Sequence, residues 1–189
     1  GIYIEVGEEI TLRDLLYGLM LRSGNDAALM VAQYVGGDVF EFVRLMNNKA
    51  RELGMTKTIF NNPSGLDNTD SGNYSSSYDM AVIARELVKY DKILEYTGTY
   101  EDYLRKNTEN SFWLVNTNKL VRYYQGVDGL KTGYTSKSGY CITTTAKRNN
   151  LRLIGVILGE KESKVRNNEM VDLLDYGFNN IKVDVLLKK

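Results

Sequence analysis

The stretch that most constrains the fold is residues 139–159, GYCITTTAKRNNLRLIGVILG. Its first arm is β-branched, Arg148-Asn149-Asn150 supplies a turn, and Leu151 to Leu158 is almost continuously apolar. That pattern predicts a β-hairpin whose second strand is buried on both faces. Residues 164–178 follow with Met170, Leu173, Leu174 and Phe178 at helical spacing, so a helix is placed to cover the sheet.

The first half has a different period. Leu12, Leu15, Leu16 and Leu19 form one helical face behind a Thr11/Asp14 capping pair. Ser23-Gly24-Asn25 interrupts the run, and Gly24 is the residue expected to make the sharp turn. A second helix follows, with Asn25 or Asp26 as its cap and Gly36-Gly37 as its end. A third starts at Asp38 with Glu41 three residues on, and buries Val39, Phe42, Val43, Met46, Ala50 and Leu53. Residues 55–78 are rich in turn formers and hold the only proline, Pro63. A fourth helix is predicted from Asp79, with Ser76 as its cap, and residues 91–125 mix a short helix with strands. Helices first, then strands, then one covering helix predict an α+β fold with a mostly antiparallel sheet.

Composition removes whole chemistries. The 189 residues suit one domain or most of one, with 43% hydrophobic and 25% charged side chains. The 24 basic and 24 acidic groups balance, which is a poor footprint for nucleic-acid binding. There is no histidine, so a Ser-His-Asp triad, a Cys-His dyad and most catalytic zinc sites are excluded. The single cysteine, Cys141, forms no internal disulfide and reads as a small buried residue. No apolar run is long enough to span a bilayer, and GIYIEVGEEI does not read as a signal peptide.

Two polar sets remain. In a strand, Lys131 and Gly133 share one face and Thr132 starts from the other. A bare glycine beside a lysine and a hydroxyl suits a peptide that adds as an extra strand and ends in a carboxylate. At the helix break, the Ser23 hydroxyl can relay a proton, and the Asn25 amide can accept from a cation and donate to a carbonyl. Either set alone is weak. Ser-Gly-Asn recurs at Ser71-Gly72-Asn73 in ordinary loop composition. Together, a Ser-x-Asn in a helical region and a Lys-Thr-Gly on a strand, about 105 residues apart, follow the order of penicillin-recognising serine enzymes.

With the blocks LMLRSGNDAALMVAQYVGG, LMNNKARELGMTKTIFNNPSGLD, YSSSYDMAVIAREL, NTNKL and VDGLKTGYTSKSGYC, the chain resembles serine-type D-alanyl-D-alanine carboxypeptidases, the low-molecular-weight penicillin-binding proteins. The resemblance implies a β-lactamase/DD-peptidase-like fold, a mostly helical subdomain packed with the sheet. It implies that Ser23 relays a proton to the leaving amine, that Asn25 orients the catalytic lysine and binds a substrate amide, and that Lys131 supports Ser23 and supplies positive potential. It further implies that Thr132 binds the terminal carboxylate, that Gly133 admits the substrate backbone, and that the N–H of Tyr134 forms half of an oxyanion hole. Thr117, in Asn116-Thr117-Asn118, stands where some relatives carry arginine.

The family's nucleophile is the serine of Ser-x-x-Lys, and no serine of this chain has a lysine three positions on. With 22 residues before Ser23, that helix and the first strands of the sheet are expected upstream of the chain. Residues 1–181 then form a partial catalytic domain, and 182–189 begin a linker to a further β domain. The intact protein is expected to be a carboxypeptidase outside the cytoplasmic membrane. It would trim the terminal D-Ala of peptidoglycan stem peptides, be inhibited by β-lactams, use no cofactor or metal, bind no nucleic acid, and reach membranes only through other segments. The competing readings are a non-catalytic peptidoglycan-peptide binder and a class A-like β-lactamase. The latter needs an activating glutamate that residues 53–85 do not offer.

Overall fold

The computed structural model describes residues 1–67 and 72–184. Ser71 of the second Ser-Gly-Asn copy, and residues 185–189 of the expected linker, lie outside the described residues. The chain is α+β. Helices α1 (Leu12–Arg22), α2 (Asn25–Gly36), α3 (Val39–Glu52), α4 (Ser77–Leu87) and α5 (Asp91–Thr97) come first. The short strands β1 (Glu101–Leu104) and β2 (Phe112–Val115) pair antiparallel, and a single turn α6 (Leu120–Tyr123) follows. Strands β3 (Val127–Thr135), β4 (Gly139–Arg148) and β5 (Leu151–Glu160) form an antiparallel sheet in that order, and α7 (Ser163–Asn180) closes the described chain.

Local chemistry sets most boundaries. Thr11 accepts from Asp14 N–H at 3.1 Å, Asp38 from Glu41 N–H at 2.7 Å, and Ser76 from Asp79 N–H at 3.2 Å, so three helices start on side-chain caps. The hairpin turn is tight: Arg148 pairs with Leu151, and Asn149 takes φ 51, a left-handed conformation that asparagine tolerates.

Two cores lie side by side. In the helical half, Leu15, Tyr17 and Leu21 of α1 pack with Ile2, Ala27, Tyr96, Leu104 and Leu114. In the sheet half, Ile142 and Ala146 of β4 pack with Met170 and Leu174 of α7, Leu120 and Val127. Two glycines let α7 sit close to the sheet. A Cβ on Gly155 would lie 2.5 Å from Met170 Sδ, and one on Gly177 would lie 2.5 Å from Leu153 Cδ1. Strand β5 is less enclosed than its apolar run predicts. Only Gly155 in it is fully buried, because β5 is the outer strand of the described sheet.

The loop before α4 has little regular structure, yet its backbone is well paired. Asn47 brackets Phe60, accepting from its N–H at 2.9 Å and donating to its carbonyl at 2.7 Å. Asn73 Oδ1 accepts from Asn61 and Asn62 N–H at 2.7 and 3.1 Å. The buried Asp79 takes Lys57 N–H at 2.8 Å and the Thr58 hydroxyl at 2.7 Å. Removing that carboxylate orphans the Lys57 N–H and leaves the Thr58 hydroxyl only its contact with Ser75 Oγ at 2.9 Å. Asp79→Ala is therefore expected to cost about 2–3 kcal/mol in chemical denaturation of the full-length protein. A loss under about 0.5 kcal/mol would mean that water replaces the carboxylate.

Candidate active site

The helix break at residues 23–25 is built differently from its sequence expectation. Ser23, not Gly24, takes the left-handed conformation, at φ 58. Gly24 has an ordinary φ of −63. What Gly24 supplies is room: a Cβ there would stand 3.1 Å from Ile2 Cγ2 and from Asp26 Oδ1. Ser23 N–H closes onto Leu19 O at 3.2 Å and Gly24 N–H onto Gly18 O at 3.1 Å, which ends α1. Neither Asn25 nor Asp26 caps α2. Gly24 holds that position without a side-chain bond, and Asn25 is already the first helical residue. Asp26 instead ties the N-terminal segment to the break, accepting from Ile2 N–H at 2.9 and 3.0 Å and from Ala27 N–H at 2.9 Å. Burial pushes the Asp26 carboxyl up, but the N–H groups of Ile2, Ala27 and Ile4 outweigh it and hold it below its usual range.

Across from the break, β3 presents Lys131, Thr132 and Gly133. Lys131 Nζ donates to Ser23 Oγ and, at 2.8 Å, to Thr132 O. Burial pushes the ammonium down to about 8, and the nearby Arg166 guanidinium pushes in the same direction. Arg166, on α7, is itself buried and meets no carboxylate among the described residues. Its Nη1 donates to Cys141 O at 3.2 Å and its Nη2 to Asn167 Oδ1 at 2.9 Å.

Thr132 Oγ1 donates to Thr117 Oγ1 at 2.7 Å. Thr117 is fixed from both sides. Its N–H donates to Leu21 O at 3.0 Å, and the flanking Asn116 and Asn118 are buried and bonded to Thr97 O, Thr99 O and Gly129 O. Gly133 leaves its face of the strand open, with no atom within 4 Å of a Cβ placed there. Tyr134 is 57% exposed and stacks on Tyr140, with centroids 4.2 Å apart.

These side chains line one cavity of ≈ 450 Å³ between the cores. Ser23, Asn25, Lys131, Thr132, Gly133 and Tyr134 all border it, so the six residues singled out from sequence come together. Ser64, Asn73 and Tyr74 form the facing wall, and among the described residues no Asp or Glu borders the cavity. Cys141 also borders it and is half-buried, not the enclosed residue expected, because its place opposite Gly133 turns its thiol to the cleft.

Sequence reasoning passed over Arg166 and Tyr74 and took Asp26 only for a cap. Arg166 had a readable signal. It shares the spacing of Met170, Leu174 and Gly177, the buried face of α7, where an arginine is out of place.

The comparisons with known proteins agree on one family. The family model described as D-alanyl-D-alanine carboxypeptidase matches residues 1–162. The D-alanyl-D-alanine carboxypeptidase DacF of Bacillus subtilis is 50% identical over 188 residues, covering 100% of this chain and 48% of the relative. Among solved structures, penicillin-binding protein D2 from Listeria monocytogenes in its ampicillin-bound form superposes with a TM-score of 0.80 at 32% identity, covering 89% of this chain and 68% of that one. The D-alanyl-D-alanine carboxypeptidase DacD from Francisella tularensis gives 0.84 at 28% identity, covering 93% and 54%. The chain spans about half the length of the curated relatives it matches. By the family match over 162 of its residues, the chain belongs to the D-alanyl-D-alanine carboxypeptidase family.

Proposed function

We propose that this chain forms the substrate-holding part of a D-alanyl-D-alanine carboxypeptidase, which releases the terminal D-alanine of peptidoglycan stem peptides outside the cytoplasmic membrane. One observation carries the reading. Lys131, its ammonium largely withdrawn from water, borders a cavity that no acidic side chain borders among the described residues, and the guanidinium of the buried Arg166 adds positive potential from behind it. Such a site lacks an anion, and a peptide's terminal carboxylate supplies one.

The chemistry follows from the bonds. To hold the carboxylate, the Thr132 hydroxyl turns its one proton from Thr117 Oγ1 to the carboxylate and accepts from the Thr117 hydroxyl instead, while Lys131 and Arg166 set the potential around it. Open space at Gly133 admits the penultimate residue's backbone, and the Tyr134 N–H serves the oxyanion. Because Lys131 donates to Ser23 Oγ, the single Ser23 proton is not taken up by the ammonium and is free to be given elsewhere. It is then placed to pass to the leaving amine, with Asn25 beside it to hold the scissile region. The attacking serine is supplied from outside these 189 residues, since no Ser-x-x-Lys occurs in them.

β-Lactams, which carry a comparable carboxylate, are the expected inhibitors, and support comes from the ampicillin-bound Listeria relative. Among the described residues no helix is long and apolar enough to cross a membrane.

The direct test is D-alanine release from a peptide ending in D-Ala-D-Ala by the full-length protein, with covalent labelling by a fluorescent penicillin. No release and no label would overturn the reading. The 189-residue chain by itself is expected to take no label, and an adduct on any of its serines would show that the nucleophile lies within it.

A second outcome concerns charge. Lys131 drops to about 8 in the folded state from an unfolded value of 10.5. Between those values the unfolded chain binds more protons, so this group's contribution to stability rises with pH through that window. Below about pH 8 its destabilising effect is fully present. Lys131→Met is expected to stabilise the full-length protein by about 1–3 kcal/mol at pH 7 while abolishing turnover. That gain should shrink from pH 8 to 10.5 in denaturation series, and a pH-independent gain would contradict the buried-ammonium account.

A further inference from the structure

The carboxylate end of the cleft fixes the direction in which a bound peptide must run. On the N-terminal side of Thr132, strand β3 is sealed: Leu130 and Val127 are buried, and Gly129 lies against Thr97, whose hydroxyl donates to Asp128 O at 2.7 Å. On the C-terminal side the cavity stays open, past Gly133, Tyr134 and Thr135 to Ser138. A peptide whose carboxylate sits at Thr132 therefore extends toward the β3–β4 turn, at roughly 3.3 Å per residue. The residue before D-Ala-D-Ala then arrives about 7 Å along the strand, beside Tyr134, and its side chain is what reaches on toward the turn at residues 136–138.

A cation waits there. Lys137, in that turn, places Nζ 5.8 Å from the ring centroid of Tyr74 on the facing wall. The contact spans the cleft mouth from the sheet half to the loop. Tyr74 is a firm platform, because it exchanges two backbone bonds with Ile59, each of 2.9 Å, and follows Asn73, which is bonded into the loop. The ring face locates the ammonium without neutralising it, since its N–H donors remain available. Among the described residues Lys137 makes no ion pair, and the cavity border offers no acidic group.

We propose that Lys137 and Tyr74 form a specificity subsite that favours peptides bearing a side-chain carboxylate on the residue immediately before D-Ala-D-Ala. The subsite rests on the reading of the cleft as a D-Ala-D-Ala site and adds a second anion position to it. The first position takes the main-chain carboxylate. The second reads a side chain at the other end of the open groove.

The experiment uses the full-length protein and two N-acetylated tripeptides, L-Glu-D-Ala-D-Ala and L-Gln-D-Ala-D-Ala, which differ by one charge. D-Alanine release should show kcat/KM about three- to fivefold higher for the glutamate peptide, the range of a solvent-exposed ion pair. The difference should sit in KM and fade at ~0.5 M salt, because exposed charges are screened. Lys137→Gln should bring the ratio to about one, and Lys137→Arg should keep it. A native ratio of one, or a ratio that survives Lys137→Gln, overturns the subsite and leaves the carboxypeptidase reading standing. No D-alanine from either peptide overturns that reading and the subsite with it.

Discussion

The structure turns on the ammonium of Lys131. It is largely withdrawn from water and donates to Ser23 Oγ and the Thr132 carbonyl. Ser23 lies 108 residues away in sequence, at the end of a helix in the other core. One bond therefore joins the helical half to the sheet half, and the cleft exists only where both halves are in place. The ammonium is also under strain of an electrostatic kind. Its neighbour Arg166 is a second buried cation, and no carboxylate meets either of them among the described residues. A fold optimised for stability alone would place an acid or an apolar side chain here. Stability is given up where an anion is to be held.

Two unpaired charges need a frame that does not yield. Buried polar side chains provide it by bonding the backbone of distant segments. Asn116 and Asn118 clamp Thr117 between the end of α1 and strand β3. Asp26 gathers Ile2 and Ile4 under the helix break. Asp79 and Asn73 hold the loop that faces the strand. Each group is expensive to bury and repays that cost only with its partners in place, so the irregular segments around the cleft are fixed without regular secondary structure.

How much of this could be read in advance follows from the range of the interactions. The caps at Thr11, Asp38 and Ser76 are legible because donor and acceptor lie three residues apart. The hairpin is legible because both arms and its Asn149-Asn150 turn are contiguous. Ser23 and Lys131 were found as a pair through motif order, not through any local signal that they touch. The failures are long-range. Asp26 looked like a cap, yet two of its partners, Ile2 and Ile4, are more than twenty residues upstream. Gly24 looked like the turn, yet the constraint on it is the Ile2 side chain, and Ser23 takes the strained conformation. The apolar run of β5 promised burial on both faces, but an outer strand receives less cover than its composition suggests.

Thr117 shows how little of a site's electrostatics a motif conveys. It stands beside Thr132 and bonds to it, so this chain offers a pair of hydroxyls at that point. A hydroxyl adds direction and no net charge. The positive potential around Thr132 therefore falls to Lys131 and Arg166, one on the strand and one reaching in from behind it on α7. Arg166 shares the buried helix face of Met170, Leu174 and Gly177, where a charged side chain is costly to bury. The buried arginine is anchored on the β4 backbone at Cys141 O, behind the cleft, and acts on the cleft through its charge at Lys131.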